Sequence, residues 1–366
     1  MKWIQFLTVS KGILLAIALL EPKAVIAQIV SDTTLPVNSA VTSSNNTFVI
    51  DGGTIAGSNL FHSFSEFSVP TGGEAFFNNA IAVENIFSRV TGESISNIDG
   101  VLRNNGSANL FFLNPNGIVF GPNSSLDLGG SFLATTADGF IFPDSSEFSA
   151  SAGGDLQTPL LSVNVPIGLQ FGGTSGAISN RSLTTDNNGN RVGLQVRSGN
   201  TLALVGGDFL SENGHLTASG GHIELSSVRS GETALSVSGN TIALEQTDVS
   251  DFGNIHLSGD TLISVSGDRS GDIQIAGSEI SLTDNSRIES TTLNEDGGEI
   301  SVRGERLFLG DRSVIVVATE GAGNSGNLSV ETSRSIDLNG TGEELDFFEQ
   351  LFSIFVGGLL NINLRP

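Results

Sequence analysis

Four histidines, His62, His215, His222 and His256, are the side chains of this 366-residue sequence suited to carry protons near neutral pH or to bind a transition metal. His215 and His222 stand seven residues apart in glycine-rich sequence with no carboxylate cluster beside them, which suits a polar surface better than a metal pair. No cysteine is present, so a thiol nucleophile is excluded. No His-Glu-x-x-His, Gly-x-Ser-x-Gly or calcium-loop pattern occurs. "GAGNSG" at 321–326 has the spacing of a dinucleotide loop, but a strand-like "NLSVETSRSIDL" follows it where a helix is required. A turn is the better reading. No cofactor and no metal site is expected.

The other candidate is "LFFLNPNGIVFG", residues 110–121, an apolar run broken by Asn114-Pro115-Asn116-Gly117. Pro115 presets φ for the second position of a tight turn, Asn114 suits the first and Gly117 the last. At the third position Asn116 is expected to matter because asparagine tolerates the backbone geometry there. The stretch is either a corner, a catalytic loop or a label that another protein reads.

Composition narrows the elements that position these residues. The chain holds 46 Gly, 23 Phe and no Tyr, and only 15% of residues are charged. That suits short strands joined by tight turns and suits long helices poorly. All three lysines (Lys2, Lys11, Lys23) precede Gln28, as does Glu21. The sequence after Ala27 therefore has 13 Arg against 38 acidic residues. A P-loop lacks its lysine, and nucleic acid would be repelled. Lys2 and Lys11, an apolar run from Gly12 to Leu20, and Val25-Ile26-Ala27 form a secretory signal over 1–27, with cleavage between Ala27 and Gln28. The apolar run is well short of the ~20 residues that span a bilayer. An exported chain without disulfides depends on its core and cannot be locked before export ends.

The C-terminal half repeats. Glycine, a polar residue and an alternating strand recur from Gly253, Gly271, Gly298 and Gly326, with a looser copy at Gly221. A unit of this size cannot bury its own apolar face, so neighbours must stack. One turn of a parallel β-helix per repeat is expected, with a sandwich of hairpins as the alternative. The 339 residues after Ala27 allow ~12–15 turns, roughly 60–70 Å of solenoid at the usual strand spacing. The tail at 343–366 loses the alternation and reads either as a cap on the solenoid or as a truncated end. Some β-helices are polysaccharide lyases. Asp248, Asp251 and Asp260 could meet across turns, but nothing places a basic residue beside them to take the sugar's proton. The carbohydrate-active enzyme therefore stays the alternative, and a non-enzyme is expected.

The block "NIFSRVTGESISNIDGVLRNNGSANLFFLNPNGIVFGPNSSLDLGGSFLATTAD" (85–138) resembles the haemagglutination-activity, or two-partner secretion, domain of filamentous haemagglutinin-type exoproteins. "NTLALVGGDFLSENGHLTASGGHIELSSV" (200–228) is similar to the family's next stretch. The resemblance covers about 28–250, leaving 251–342 as β-helix repeats that begin a passenger. It implies an all-β, right-handed, single-stranded parallel β-helix of the pectin-lyase-like kind, with an N-terminal cap and small extra-helical hairpins. It also implies Sec export to the periplasm and recognition by the POTRA domains of an outer-membrane β-barrel transporter. Folding at the cell surface or outside the cell follows. An adhesive role with a host-cell or carbohydrate ligand fits, and nucleic acid does not. By the same resemblance Asn114, Pro115, Asn116 and Gly117 belong to the secretion signal, acting either as a direct address or by shaping the fold.

Overall fold

A computed structural model describes residues 28–150, 161–339 and 360–364. The signal segment, Ala27 and residues 340–359 of the tail lie outside the described residues, so neither the leader nor the cap-or-truncation question is addressed by it. The regular structure described is β-strand throughout.

The chain winds as a parallel β-helix with three faces. The first face runs from Asn59–Phe67 through Asn85–Val90, Asn109–Leu113, Phe132–Thr135 and Thr201–Gly206 to the start of His222–Ser238. It continues through Asp272–Ala276 and the starts of Glu299–Gly310 and Asn327–Asn339 to Leu360–Leu364. The second face includes Ser96–Ile98, Ile118–Phe120, Ile178–Asn180, Phe209–Glu212, Ile255–Ser258 and Glu279–Leu282. Along both faces each turn pairs with the next. Ile29–Ser31 and Ser39–Ser44 pair antiparallel with Asn59–Phe67 and Thr47–Gly52 and cover the N-terminal end.

The third face is cut in two. One five-stranded sheet ends at Ser125–Asp127, and another begins at Leu194–Gln195. Between them lies a cavity of about 360 Å³ lined by Leu126, Leu128, Val196 and Arg197 among others. The first two faces bridge the cut through Phe132–Thr135 with Thr201–Gly206 and Ile118–Phe120 with Ile178–Asn180.

The repeat needs one correction. Gly221, Gly271, Gly298 and Gly326 occupy the same corner of successive turns, whereas Gly253 opens a strand of the second face. The 18-residue step from Gly253 to Gly271 therefore runs from the second face of one turn, through the third, to the first face of the next. Side chains are excluded at that corner because a Cβ on Gly326 would sit 1.5 Å from the Gly298 carbonyl oxygen, and one on Gly271 1.8 Å from that of Gly221. The first face has ten strands among the described residues, fewer than the ~12–15 turns that length allows. The missing length has left the solenoid.

It forms one antiparallel sheet of five strands, larger than the small hairpins expected. The strand order is Glu147–Ser149, Gly139–Ile141, Gly168–Gly172, the second half of His222–Ser238, then Thr241–Phe252. This sheet lies on the outer surface of the first face and closes a second hydrophobic core. Leu60, Ile86, Leu110 and Phe112 point into the solenoid, while Phe61, Phe87, Phe111 and Leu133 point outward beneath Phe140, Phe142, Phe148 and Leu169. The outward rings form a column, with Phe61 and Phe87 stacked at 5.1 Å between centroids and Phe87 and Phe111 at 4.6 Å. Rings from the sheet meet them edge-on, Phe140 on Phe87 at 5.6 Å and on Phe111 at 5.9 Å. Strands buried on both sides lose polar alternation, which is why Asn109–Leu113 reads as a continuous apolar run.

Polar ties bind the layers. Asn59, Asn85 and Asn109 form a ladder, in which Asn85 Nδ2 donates to Asn59 Oδ1 and Asn109 Nδ2 to Asn85 Oδ1, both at 3.0 Å. Asn109 also donates to the Gly239 carbonyl at the tip of the longest hairpin, at 2.9 Å. Arg89, only 2% exposed, donates to Ser63 Oγ (2.9 Å), Thr34 Oγ1 (2.8 Å) and the Ser149 carbonyl. Its guanidinium lies 4.5 Å from the centre of the Phe148 ring. One cation thus connects the cap, the solenoid and the outer sheet. Burial lowers its pKa to about 10, opposed by the charge of Asp32.

Candidate functional site

Residues 114–117 form the corner between the first and second faces, immediately after Asn109–Leu113 and before Ile118–Phe120. Gly117 N–H donates to the Asn114 carbonyl at 3.2 Å, closing the four-residue turn. Asn114 is fully buried and uses its whole side chain. Its Oδ1 accepts from Asn116 N–H at 3.0 Å, an Asx turn. Its Nδ2 donates to the Ser94 carbonyl at 3.0 Å and to Ser96 Oγ at 2.9 Å, in the preceding turn of the solenoid. The following turn is held by Gly176 N–H donating to the Pro115 carbonyl at 2.8 Å and Ile118 N–H to the Ala177 carbonyl at 3.1 Å. The corner therefore clamps three turns together.

Glycine and asparagine exchange the roles expected of them. Gly117 has φ +131°, and a Cβ there would approach the Ala177 carbonyl oxygen at 3.1 Å. Asn116 is not among the residues with positive φ, so backbone tolerance is not what the position uses. Asn116 is exposed, and its Nδ2 donates to the Gly92 carbonyl at 2.7 Å. Pro115 is half-buried. Of the four side-chain positions, Asn116 is the one open to solvent.

The remaining candidates do not converge. His62 is buried at 1% exposure, bonded through Nδ1 to Ser39 Oγ at 2.9 Å, with no partner at Nε2. Burial pushes its pKa down to about 3, so the ring is neutral. His215 is buried on the third face, while His222 is half-buried on the first and sits 3.3 Å from Asp272. His256 bonds Ser281 Oγ at 2.7 Å on the second face. Asp248 and Asp251 belong to the edge strand of the outer sheet, and Asp260 to a solenoid corner where it accepts from Asn285 at 2.7 Å. Among the described residues no group of three or more His, Cys, Asp or Glu could hold a metal ion. Sequence reasoning missed Glu224, 5% exposed, whose pKa burial and the neighbouring Asp272 push up to about 8. It also missed the Asn-Leu/Ile-Phe triplets at 59, 85 and 109, which mark both the ladder and the Phe column.

The family model of the TPS secretion domain matches residues 27–275, a span that includes the corner, the Phe column and all five strands of the outer sheet. The chain belongs to the TPS secretion domain family. Among solved structures, the HMW1 secretion domain from Haemophilus influenzae is similar at 16% identity and TM-score 0.53, over 93% of this chain and 95% of that one. At that identity the likeness is one of fold. The filamentous hemagglutinin secretion domain aligns at 16% identity and TM-score 0.39, over 92% of this chain and 99% of that one. No curated protein matches the chain. As a TPS secretion domain protein it is an exoprotein addressed to a two-partner secretion transporter of the outer membrane. The polysaccharide-lyase alternative finds no support in these matches.

Proposed function

We propose that the Asn114–Gly117 corner serves secretion through the fold, by clamping three turns of the solenoid, rather than as a free label. The burial of Asn114 carries this reading: its side chain is spent on Ser94, Ser96 and Asn116 and presents nothing to a partner. Residues 1–27 act as a Sec signal cleaved between Ala27 and Gln28. Residues 28–250 act as the secretion domain, and residues 251–342 begin the passenger. In the periplasm the chain meets the POTRA domains of its transporter, crosses unfolded and folds at the cell surface or beyond it. The absence of cysteine supports that route, because no disulfide can trap the chain on the way. The role at the surface is non-enzymatic and adhesive, toward a host-cell or carbohydrate ligand.

The test is a pulse-chase in cells carrying the partner transporter, comparing periplasmic with surface protein for Asn114→Ala and Asn116→Ile. Export should fall strongly for the first and little for the second. The reverse order would make the exposed asparagine an address and sink the reading.

A further inference from the structure

The outward side of the first face changes character along the solenoid. One column runs in register from Phe61 through Phe87, Phe111, Leu133 and Ala203 to Glu224, Gln274, Ser301 and Ser329. The first five belong to the core beneath the outer sheet. Gln274, Ser301 and Ser329 are half-buried and polar, and they form a shelf beyond the edge strand Thr241–Phe252. Where that strand stands over the shelf, the step encloses a groove of about 670 Å³. Gln246 and Phe252 line it from the wall, Gln274 and Arg303 from the shelf, and Glu305 from the far corner. Its size is that of a small-molecule site.

The side chains of the step narrow the ligand by chemistry. Gln274 Nε2 donates to the Leu244 carbonyl at 3.0 Å and to Gln246 Oε1 at 3.3 Å. Further along the strand, Ile242 N–H donates to Thr201 Oγ1 at 3.0 Å. Side chains thus take up backbone groups of the edge that an added β-strand would pair with, which disfavours an extended peptide. Charge disfavours a polyanion: Arg303 lies 3.6 Å from Glu331, and Glu245 and Glu305 both face the groove. Leu244, Phe252 and Ala276 offer too little apolar surface for a lipid. What fits is an uncharged ligand dense in hydroxyls. Amide, guanidinium and carboxylate groups donate to and accept from hydroxyls, and half-buried Phe252 adds an apolar ring for the bare face of a sugar.

We propose that this groove binds a neutral oligosaccharide in the step between the outer sheet and the solenoid. The wall and Gln274 lie inside the span matched by the family model, 27–275, whereas Arg303 and Glu305 come from the turns that follow it. The site is complete only when both parts have folded together. This rests on the adhesive reading above and gives it a location and a ligand class.

The protein purified from its secreting cells is titrated into fluorescent cellohexaose, maltohexaose, lacto-N-hexaose and a heparin hexasaccharide, with binding read by anisotropy. At least one of the three neutral probes should bind more tightly than about 1 mM, and the sulfated heparin probe should not bind. Arg303 is exposed and paired only with an exposed neighbour's charge, so Arg303→Ala leaves the core intact. It should weaken binding about tenfold, the loss of one charge-assisted hydrogen bond. Gln246→Ala should also weaken it. Arg287, beside Glu289 on the third face, is the matched control, and Arg287→Ala should leave binding unchanged. No binding of any neutral probe, preference for heparin, or equal binding by the Arg303 and Arg287 variants would overturn the proposal. Failure of the unsubstituted protein to attach to cells, with a neutral probe still bound and sensitive to Arg303→Ala, would fail the adhesive reading and leave the groove standing.

Discussion

Replacing Asn114 by alanine removes four hydrogen bonds, one each to Ser94 and Ser96 and two from Asn116, from a site closed to water. At about 1 kcal/mol for each bond, with buried partners left unmet, the cost is about 2–4 kcal/mol. Asn116→Ile loses an exposed bond to the Gly92 carbonyl and a longer one to Asn114 Oδ1, keeps the N–H to Asn114 and needs no unusual backbone, so about 0.5–1.5 kcal/mol is expected. The difference, about 2 kcal/mol, is roughly a 30-fold change in a local opening constant. A solenoid need not unfold in one step, so a local measurement is the right one. Amide exchange at Gly117, Ile118 and Gly176, whose N–H groups hold the clamp, should accelerate by that ratio in Asn114→Ala relative to Asn116→Ile. Equal protection in the two variants would refute the three-turn clamp.

Stability should also depend on pH in a defined way. Glu224, protonated when folded up to about pH 8 and ordinarily titrating near 4.5, costs about 1.4 kcal/mol per unit as pH rises through that window. His62, neutral when folded down to about pH 3 and ordinarily titrating near 6.5, costs the same per unit as pH falls. The two cancel between about 4.5 and 6.5, so urea midpoints should be flat there and decline above 6.5, and Glu224→Gln should remove the upper decline. Gly117→Ala should cost about 1–3 kcal/mol, because φ +131° suits glycine alone and the Cβ meets the Ala177 carbonyl, read as a lower unfolding midpoint, while Gly72→Ala, at φ +68° with open space at its Cβ, should cost less, about 1 kcal/mol. Arg89→Lys should destabilise nearly as much as Arg89→Met, because an ammonium cannot reproduce the fork that reaches Ser63, Thr34 and Ser149. Melting temperatures of the two variants check this.

The turn at 114–117 was legible because Pro115 and Gly117 constrain the local chain. Its clamping role was not, because Ser94, Ser96 and Gly176 stand some 20 to 60 residues away in sequence. The late turns were legible for a related reason: one side of each strand meets water, as the alternating burial of Asp272–Ala276 and Arg287–Thr292 shows. The early turns are covered on both sides, and Asn85–Val90 is buried at every residue. Thr241–Phe252 alternates as a solenoid strand would, yet it belongs to the outer sheet. Alternation reports which side of a strand is wet, not which layer the strand joins.

The cut in the third face gives the solenoid a direction of weakness. A hollow beam with one wall slit is stiff against bending that loads the two intact walls and compliant against bending that opens the slit. Backbone hydrogen bonds carry load across every turn of the first two faces, and between Asp127 and Leu194 the third carries none through its ladder. Thermal bending of the rod should therefore concentrate in one plane, with the slit on the outside of the curve.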